Sequence, residues 1–365
     1  MKKKFFSARI KSKVLASAIA SAAAAIPATA SASGWNVAWD KPAPQLSVAL
    51  TTSVVQDANG PTELFWTSAF GGPVFYSQQT ASGWTPPANL GGDTIVPRAA
   101  RENNFGTVEF LATVGSWDIY QNSQSGQENY GAGMWINFSG GDGNWSGWHG
   151  LGGAFASPYP AIAVVGNDAA VFGIGTDDQI YHQWVSGPTT NQGGWDRLPL
   201  LPNGNVAATG LQSLTAAQRG NNNDGIGSIN NRLIDVVVLA ANNTVWHTTY
   251  NSATGSAAAW DQVPRPADGS AVNAVFVTST DLNTVDILEE GSGVNPWIFA
   301  SSGTGGWSTL PDPQGWRNCN ASVVSFNSSR TGYLDFYEVP DATPELYHDQ
   351  YGPNPSSAPG LAFCH

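Results

Sequence analysis

From residue 34 onward, apolar residues come in short runs that alternate with polar ones or run on unbroken, and each run stops at glycine, proline, asparagine or aspartate. Pro160–Gly166 (PAIAVVG), Ala169–Thr176 (AAVFGIGT) and Gln179–Val185 (QIYHQWV) follow one another in this way. They are separated by Asn167-Asp168 and Asp177-Asp178 and closed by Gly187-Pro188. A period of two in β-branched and aromatic residues, bounded by turn formers, predicts short antiparallel strands. No long stretch carries the 3.6-residue period of an amphipathic helix. The chain reads as all-β.

The strands recur at a larger interval. Tryptophan followed by a small or acidic polar residue stands at Trp39, Trp84, Trp145, Trp195, Trp260 and Trp307. Each is followed by an aromatic in a later strand, at Tyr76, Tyr120, Tyr181, Trp246, Trp297 and Tyr347, after 37, 36, 36, 51, 37 and 40 residues. The long interval contains Gln218–Ile229 (QRGNNNDGIGSI), which reads as an inserted loop. Units of four short strands, repeated six times, predict a single β-propeller over residues 34–365. Seven blades are the alternative, because the stretch after Trp84 has room for part of another around Gly131–Gly141 (GAGMWINFSGG). The last unit has no tryptophan after it. The segment at Trp35 and Trp39 is expected to supply that strand, joining the chain ends and removing an exposed sheet edge.

The ends and the charge narrow the setting. Residues 1–33 hold six basic side chains, an apolar small-residue run from Val14 to Ile26 and an Ala-Thr-Ala exit, the order of a secretory signal peptide. Beyond it no apolar run is long enough to span a bilayer. Without the leader, nine basic residues face 27 acidic ones, a net charge of −18, and Lys41 is the one lysine left. Tracking phosphates requires clustered Lys and Arg, so nucleic acid and anionic membranes are excluded as partners. Cys319 and Cys364 are the two cysteines; in an oxidising compartment they read as a disulfide holding the C-terminal tail to the last unit. They lack neighbours at metal-ligand spacing, and no motif calls for a metal or cofactor.

One unit carries a resemblance. Trp145, Trp148, Leu151, Gly152, Gly153, Ser157 and Pro158, continued by Val171, Phe172, Gly175, Asp177, Asp178, Ile180, Tyr181 and His182, resemble the bacterial PLL-type (Photorhabdus-like) propeller lectins, with features of tectonin-like propellers. The resemblance covers residues 145–195 best and fades in the other units. It implies a propeller that binds monosaccharides between neighbouring blades, hence glycans or glycoconjugates as partners. The Leu-Gly-Gly turn is present only after Trp84 and Trp145, which puts the remaining inter-blade sites in doubt.

The residues themselves point the same way. Fifteen Trp, ten Tyr and fifteen Phe supply ring faces for sugar C–H patches, and abundant Asn, Asp, Gln and Ser supply hydrogen-bonding groups. The candidate ligand-binding residues are Trp145, Trp148, Tyr159, Asp177, Asp178, Tyr181, His182, Trp184, Trp246 and His247. For each repeated tryptophan the competing role is packing between blades. Asp177 and Asp178 serve either as acceptors or as turn formers, and Asp118, Asp235 and Asp286 share that ambiguity. His182, His247 and His348 each follow an aromatic at an equivalent place, and recurrence points away from a catalytic base, which is normally unique.

Gly-x-Ser-x-Gly, His-Glu-x-x-His and phosphate-loop patterns are absent. An enzyme would have to bring together carboxylates from Glu63, Glu102, Glu109, Glu289, Glu290, Glu338 and Glu345. The adjacent Glu289-Glu290 reads as a solvated strand end. The function indicated is a secreted, multivalent lectin; a protein-binding propeller module and a propeller glycosidase or polysaccharide lyase are the alternatives. Oligomeric state and sugar identity are left open by the sequence.

Overall fold

The computed structural model describes residues 35–38, 51–56, 62–67, 72–80, 82–94, 98–101, 109–114, 132–139, 144–166, 168–186, 190–191, 193–204, 206–209, 212–219, 232–265, 269–279, 283–291, 296–301, 306–309, 321–327, 334–340 and 347–351. Residues 1–33, read from sequence as a signal peptide, Trp39, Tyr120, Asp118, Glu102, Glu345 and both cysteines lie outside the described residues.

The described strands form six antiparallel sheets. Sheet 1 runs Thr51–Gln56, Thr62–Thr67 and Gly72–Thr80, edged by Gly83–Trp84 and Ala88–Thr94. Sheet 2 is Arg98–Arg101, Glu109–Val114, Ala132–Ser139 and His149–Phe155. Sheet 3 is Ala161–Val165, Asp168–Ile174 and Ile180–Ser186, edged by Thr190–Asn191 and Asp196–Arg197. Sheet 4 is Leu214–Gln218, Leu233–Leu239 and Val245–Asn251, edged by Ser256–Ala257 and Asp261–Gln262. Sheet 5 is Val272–Thr278, Val285–Gly291, Pro296–Ser301 and Trp307–Thr309. Sheet 6 is Ala321–Asn327, Leu334–Pro340 and Tyr347–Tyr351, whose last strand pairs with Trp35–Ala38 in the register Trp35↔Tyr351 to Ala38↔His348.

The first strands of successive sheets lie against one another, from sheet 1 through sheet 6, and the first strand of sheet 6 lies against that of sheet 1. Antiparallel sheets of four or five strands packed face to face in series define an all-β protein of the β-propeller class. Each inner strand is covered on both faces by neighbouring sheets. This is why Ala161–Val165 reads as a continuous apolar run and Leu233–Leu239 as one broken only by Asp235, and why both are buried almost throughout. Separate apolar clusters fill the seams. Val171 and Phe155 pack between sheets 2 and 3, Phe172 and Val236 between sheets 3 and 4, and Val237 and Ile287 between sheets 4 and 5.

Two sequence expectations are corrected. The repeated tryptophan does not open a sheet: Trp84, Trp195, Trp260 and Trp307 belong to the edge strand, or stand just before it, in the sheet whose three long strands precede them. A strand joins the neighbour to which its turn connects it, so the unit as folded ends where the sequence unit begins. In sheet 2 the third strand is Ala132–Ser139, and the aromatic it carries is Trp135 rather than the Tyr120 that the repeat interval pointed to.

The Leu-Gly-Gly turns have a mechanical role. Gly91 and Gly92 (φ 69° and 82°) and Gly152 and Gly153 (φ 69° and 84°) carry the edge strands through irregular register. The carbonyls of Leu90 and Leu151 thereby receive the indole N–H of Trp148 and Trp195 from the following sheet, at 3.0 and 3.1 Å. A Cβ on Gly92 would lie 2.8 Å from Trp148 Nε1, and one on Gly153 would lie 2.9 Å from Trp195 Nε1 and closer still to the Phe155 ring. Both glycines are therefore seats for the next sheet's tryptophan. Gly153→Ala is expected to cost about 3 kcal/mol and Gly152→Ala, where nothing lies within 4 Å, only about 1 kcal/mol. Urea unfolding of the two variants checks this, and equal losses would contradict the seat.

Candidate functional site

Successive residues of a strand face opposite ways, so the predicted ligand cluster is divided among four seams. Trp145 and Trp148 pack with Phe65, Val74 and Tyr76 between sheets 1 and 2. Tyr181 packs between sheets 2 and 3. Trp184 and Trp246 pack between sheets 3 and 4, and the His182 ring meets Tyr250 there at 4.5 Å. His247 meets Trp307 edge-on at 5.5 Å between sheets 4 and 5. Tyr159 is buried just before the first strand of sheet 3. Asp177 and Asp178 form the turn before Ile180–Ser186. Asp178 has φ 59°, and Asp177 accepts from Gln179 N at 3.2 Å and from the Tyr181 hydroxyl at 2.9 Å. The backbone of His348 pairs in sheet 6, and its side chain lies outside the described residues.

The polar residue after each tryptophan has a recurring task. Thr85 Oγ1 accepts from Gln78 N at 2.9 Å, Ser146 Oγ from Phe138 N at 3.3 Å, and Ser308 Oγ donates to Ala300 O at 3.2 Å. Asp196 and Asp261 stand opposite His182 and His247 in the same register. The edge strand is thus stitched to the third strand by side chains where backbone pairing is short.

Two seams are rich in polar groups. Between sheets 4 and 5, Asp235 is fully buried and holds three partners. Arg219 grips both its oxygens, with Nε donating to Oδ2 at 2.9 Å; His247 Nε2 lies 2.8 Å from Oδ1; and Thr249 Oγ1 donates to Oδ1 at 3.3 Å. His247 Nδ1 reaches Asp261 Oδ1 at 2.8 Å, and the Trp307 indole donates to Asp261 Oδ2 at 3.1 Å.

Burial alone would lower the His247 pKa, but its hydrogen bonds to Asp235 and Asp261 and their charges raise it to about 9. Burial likewise pushes the Asp235 carboxyl up, and the bonds to His247 and Arg219 overcome it and hold it below the ordinary value. The result is an ionised, internally neutral network with the Asp261 side chain, 54% exposed, at its outer end. His247 is protonated at neutral pH with both nitrogens engaged, so it offers no lone pair as a base.

His182 occupies the same register with the opposite electrostatics. Its Nδ1 lies 3.0 Å from the backbone oxygen of Asp196, and burial lowers its pKa, leaving it neutral. The difference lies in the second strand, where Ala170 stands at the position that Asp235 occupies in sheet 4.

Between sheets 1 and 2, Glu63 Oε1 accepts from the Tyr76 hydroxyl at 2.8 Å and from Gln78 Nε2 at 3.1 Å. The Trp145 ring meets Tyr76 and Phe65 edge-on at 5.8 and 5.5 Å. Its indole N–H is buried and has no acceptor, unlike those of Trp148, Trp195, Trp260 and Trp307. Ser146, the next residue, donates to Asn137 Oδ1 at 3.2 Å, and the Asn137 amide Nδ2 is buried without a partner too. Ile136 and Phe138 pack toward sheet 3, so the alternation turns Asn137 toward sheet 1. Two N–H donors with nothing to donate to therefore stand in one aromatic seam beside a carboxylate.

Sequence reasoning singles out Trp145 and His247 as candidates but not Arg219, Asp261, Trp307 or Asn137, which share their seams. Arg219 is one of nine basic residues after residue 33, and Asp261 follows a repeat tryptophan; scarcity and recurrence were the available signals. Glu289, read from sequence as a solvated strand end, is 1% exposed. Its strand is the second of sheet 5, covered on both faces, so the doublet cannot reach water on both sides. Among the described residues no group of three or more His, Cys, Asp or Glu is arranged to hold a metal ion, and no helix is long and apolar enough to cross a membrane.

No protein-family model and no curated protein sequence matches the chain. Similar solved structures exist. The AofleA protein of Arthrobotrys oligospora superposes with a TM-score of 0.54 at 11% identity, covering 88% of this chain and 86% of its own. The BP39L lectin of Burkholderia pseudomallei superposes with a TM-score of 0.52 at 15% identity, covering 82% of this chain and 80% of its own. At such identities the likeness is one of fold, and it extends over most of both chains.

Proposed function

We propose that this chain is a secreted, multivalent carbohydrate-binding lectin. Its six sheets are the blades of one ring, closed by Trp35–Ala38 on the last blade, and its ligand seats lie in the seams between blades. The return of the first-strand series from sheet 6 to sheet 1 supports the count and the closure. The signal-peptide pattern of residues 1–33 supports secretion, and a bridge between Cys319 and Cys364 fits an oxidising destination. The resemblance of residues 145–195 to PLL-type lectins and the fold likeness to a Burkholderia pseudomallei lectin support the ligand class.

The observation that carries the reading is the seam between sheets 1 and 2. Trp145 Nε1 and Asn137 Nδ2 are buried donors without acceptors beside Tyr76 and the Glu63 carboxylate. Sugar hydroxyls accept and donate at once, and sugar C–H faces pack on indole and phenol rings. A seam offering donors, an acceptor and rings suits that chemistry. Weak seats repeated around one ring bind a glycan-coated surface by avidity.

The test is a glycan array probed with residues 34–365 and with Trp145→Phe, which keeps the ring and removes the N–H. Selective binding by the parent, weakened about tenfold in the variant, is expected, the equivalent of one buried hydrogen bond. A folded parent that binds no glycan on the array would overturn the proposal.

A further inference from the structure

Glu289 has no role in the network described above and no hydrogen-bond partner at either carboxyl oxygen, although both oxygens are buried. It lies opposite Val275 in the centre of sheet 5 and two residues beyond Ile287, so it faces sheet 4. Val275, Ile287, Val272 and, from sheet 4, Val237, Leu239, Val245 and Val263 form the apolar filling of that seam. The neighbouring Asn243 ties the two sheets together here, donating to Val272 O at 2.9 Å and accepting from Val272 N at 3.1 Å.

A leucine would fill this position without a polar atom to satisfy. A carboxyl is tolerated there only while it holds its proton, because an ionised carboxylate without donors in an apolar seam has no compensation for lost hydration. The structure assigns Glu289 the part of a proton-operated latch: protonated, it lets sheets 4 and 5 close; on losing the proton, it opens the seam at the Asn243–Val272 end.

The charged groups around it support this. Burial raises the Glu289 pKa to about 8, and the charge of Arg265, which follows Val263 at the exposed margin of sheet 4, lowers it and is outweighed. Arg265 instead reaches the Asn242 carbonyl at 3.4 Å. Glu290 lies on the opposite face of the strand. Arg219, Asp235, His247 and Asp261 face the same seam from sheet 4 and are paired with one another. They lie toward the Trp307 end, where Trp307 pairs with Ser301 and Ser301 with Val285.

Hydrogen exchange of residues 34–365 at about pH 6 and about pH 9, corrected for intrinsic exchange, reads the latch directly. Amides of Val272–Val275 and Leu239–Val245 are expected to lose about tenfold or more of their protection at the higher pH, and Glu289→Gln to lose markedly less, the remainder following the His247 titration. Equal protection at both pH values, or the same loss in Glu289→Gln, would overturn the assignment. In the parent protein, the infrared carbonyl stretch of a protonated carboxylic acid should be present at neutral pH and vanish in the same range. A carboxylate already ionised at neutral pH would overturn it without any variant. None of these readouts depends on glycan binding.

Discussion

Replacing Asp235 with alanine should destabilise the protein by about 3–5 kcal/mol, because Arg219 and His247 are then left in a buried seam as cations without their shared anion. The carboxylate is fully buried and receives bonds from Arg219, His247 and Thr249, so three donors lose their acceptor together. Asp261 provides the internal comparison. It bonds the other face of His247 and the Trp307 indole, but its side chain is half in water. Solvent replaces most of what it supplies, and Asp261→Ala is expected to cost about 1 kcal/mol or less. Urea unfolding followed by tryptophan fluorescence measures both. Comparable losses from the two variants would mean that the buried carboxylate is not the keystone of the seam.

The second large effect is on pH dependence. His247 has a folded pKa of about 9 against an ordinary 6.5, so between these values the folded protein holds a proton that the unfolded chain has released. Stability from this group is fully present below 6.5 and is lost as pH rises through about 9. At full strength the loss is about 3 kcal/mol.

Asp235 acts in the opposite direction: its folded pKa is depressed, so its contribution is present above 3.8 and lost as pH falls through the folded value. Glu289, raised to about 8, also makes stability fall with rising pH, beginning at 4.5. The His247 limb is therefore best measured in Glu289→Gln. Urea midpoints in that variant should fall between about pH 6 and about pH 9.5, and adding His247→Gln should flatten the profile. A decline that survives the loss of His247 would place the titration elsewhere.

How far the fold could be read ahead of the structure depended on which interactions are local. Runs such as Ala161–Val165, and Leu233–Leu239 apart from Asp235, state their own strand character, because both faces of an inner strand are largely apolar whichever sheets cover them. The recurring tryptophan with its polar successor was equally visible. Its meaning was not, since Trp195 and Trp260 donate to carbonyls 44 and 61 residues earlier, at Leu151 and Pro199. Leu-Gly-Gly looked like a turn that marks ligand sites and proved to be a seat for an indole from the following sheet.

The candidate site shows the same division. Tyr181 and His182 are neighbours in sequence and were grouped together, yet strand alternation sends them into different seams. His182 and His247 share a register and a preceding aromatic; the sequence favoured His182 for ligand contact, because its unit carries most of the family features, and held nothing that separated their charge. One is neutral and the other charged because, two residues before the histidine's partner on the second strand, sheet 3 has Ala170 and sheet 4 has Asp235.

By itself, the sequence determined the strand class, the repeated tryptophan unit, the acidic balance beyond residue 33 and the aromatic and polar supply. These follow from residue type and period, which are properties of short stretches. Only the tertiary structure decided that Arg219 would clasp Asp235, 16 residues on, that Asn137 and Trp145 would stand together with donors to spare, and that Glu289 would be shut in a seam while Glu290 faces the other way. Each of those outcomes depends on which sheet covers which face, and that is settled by packing between strands far apart in the chain.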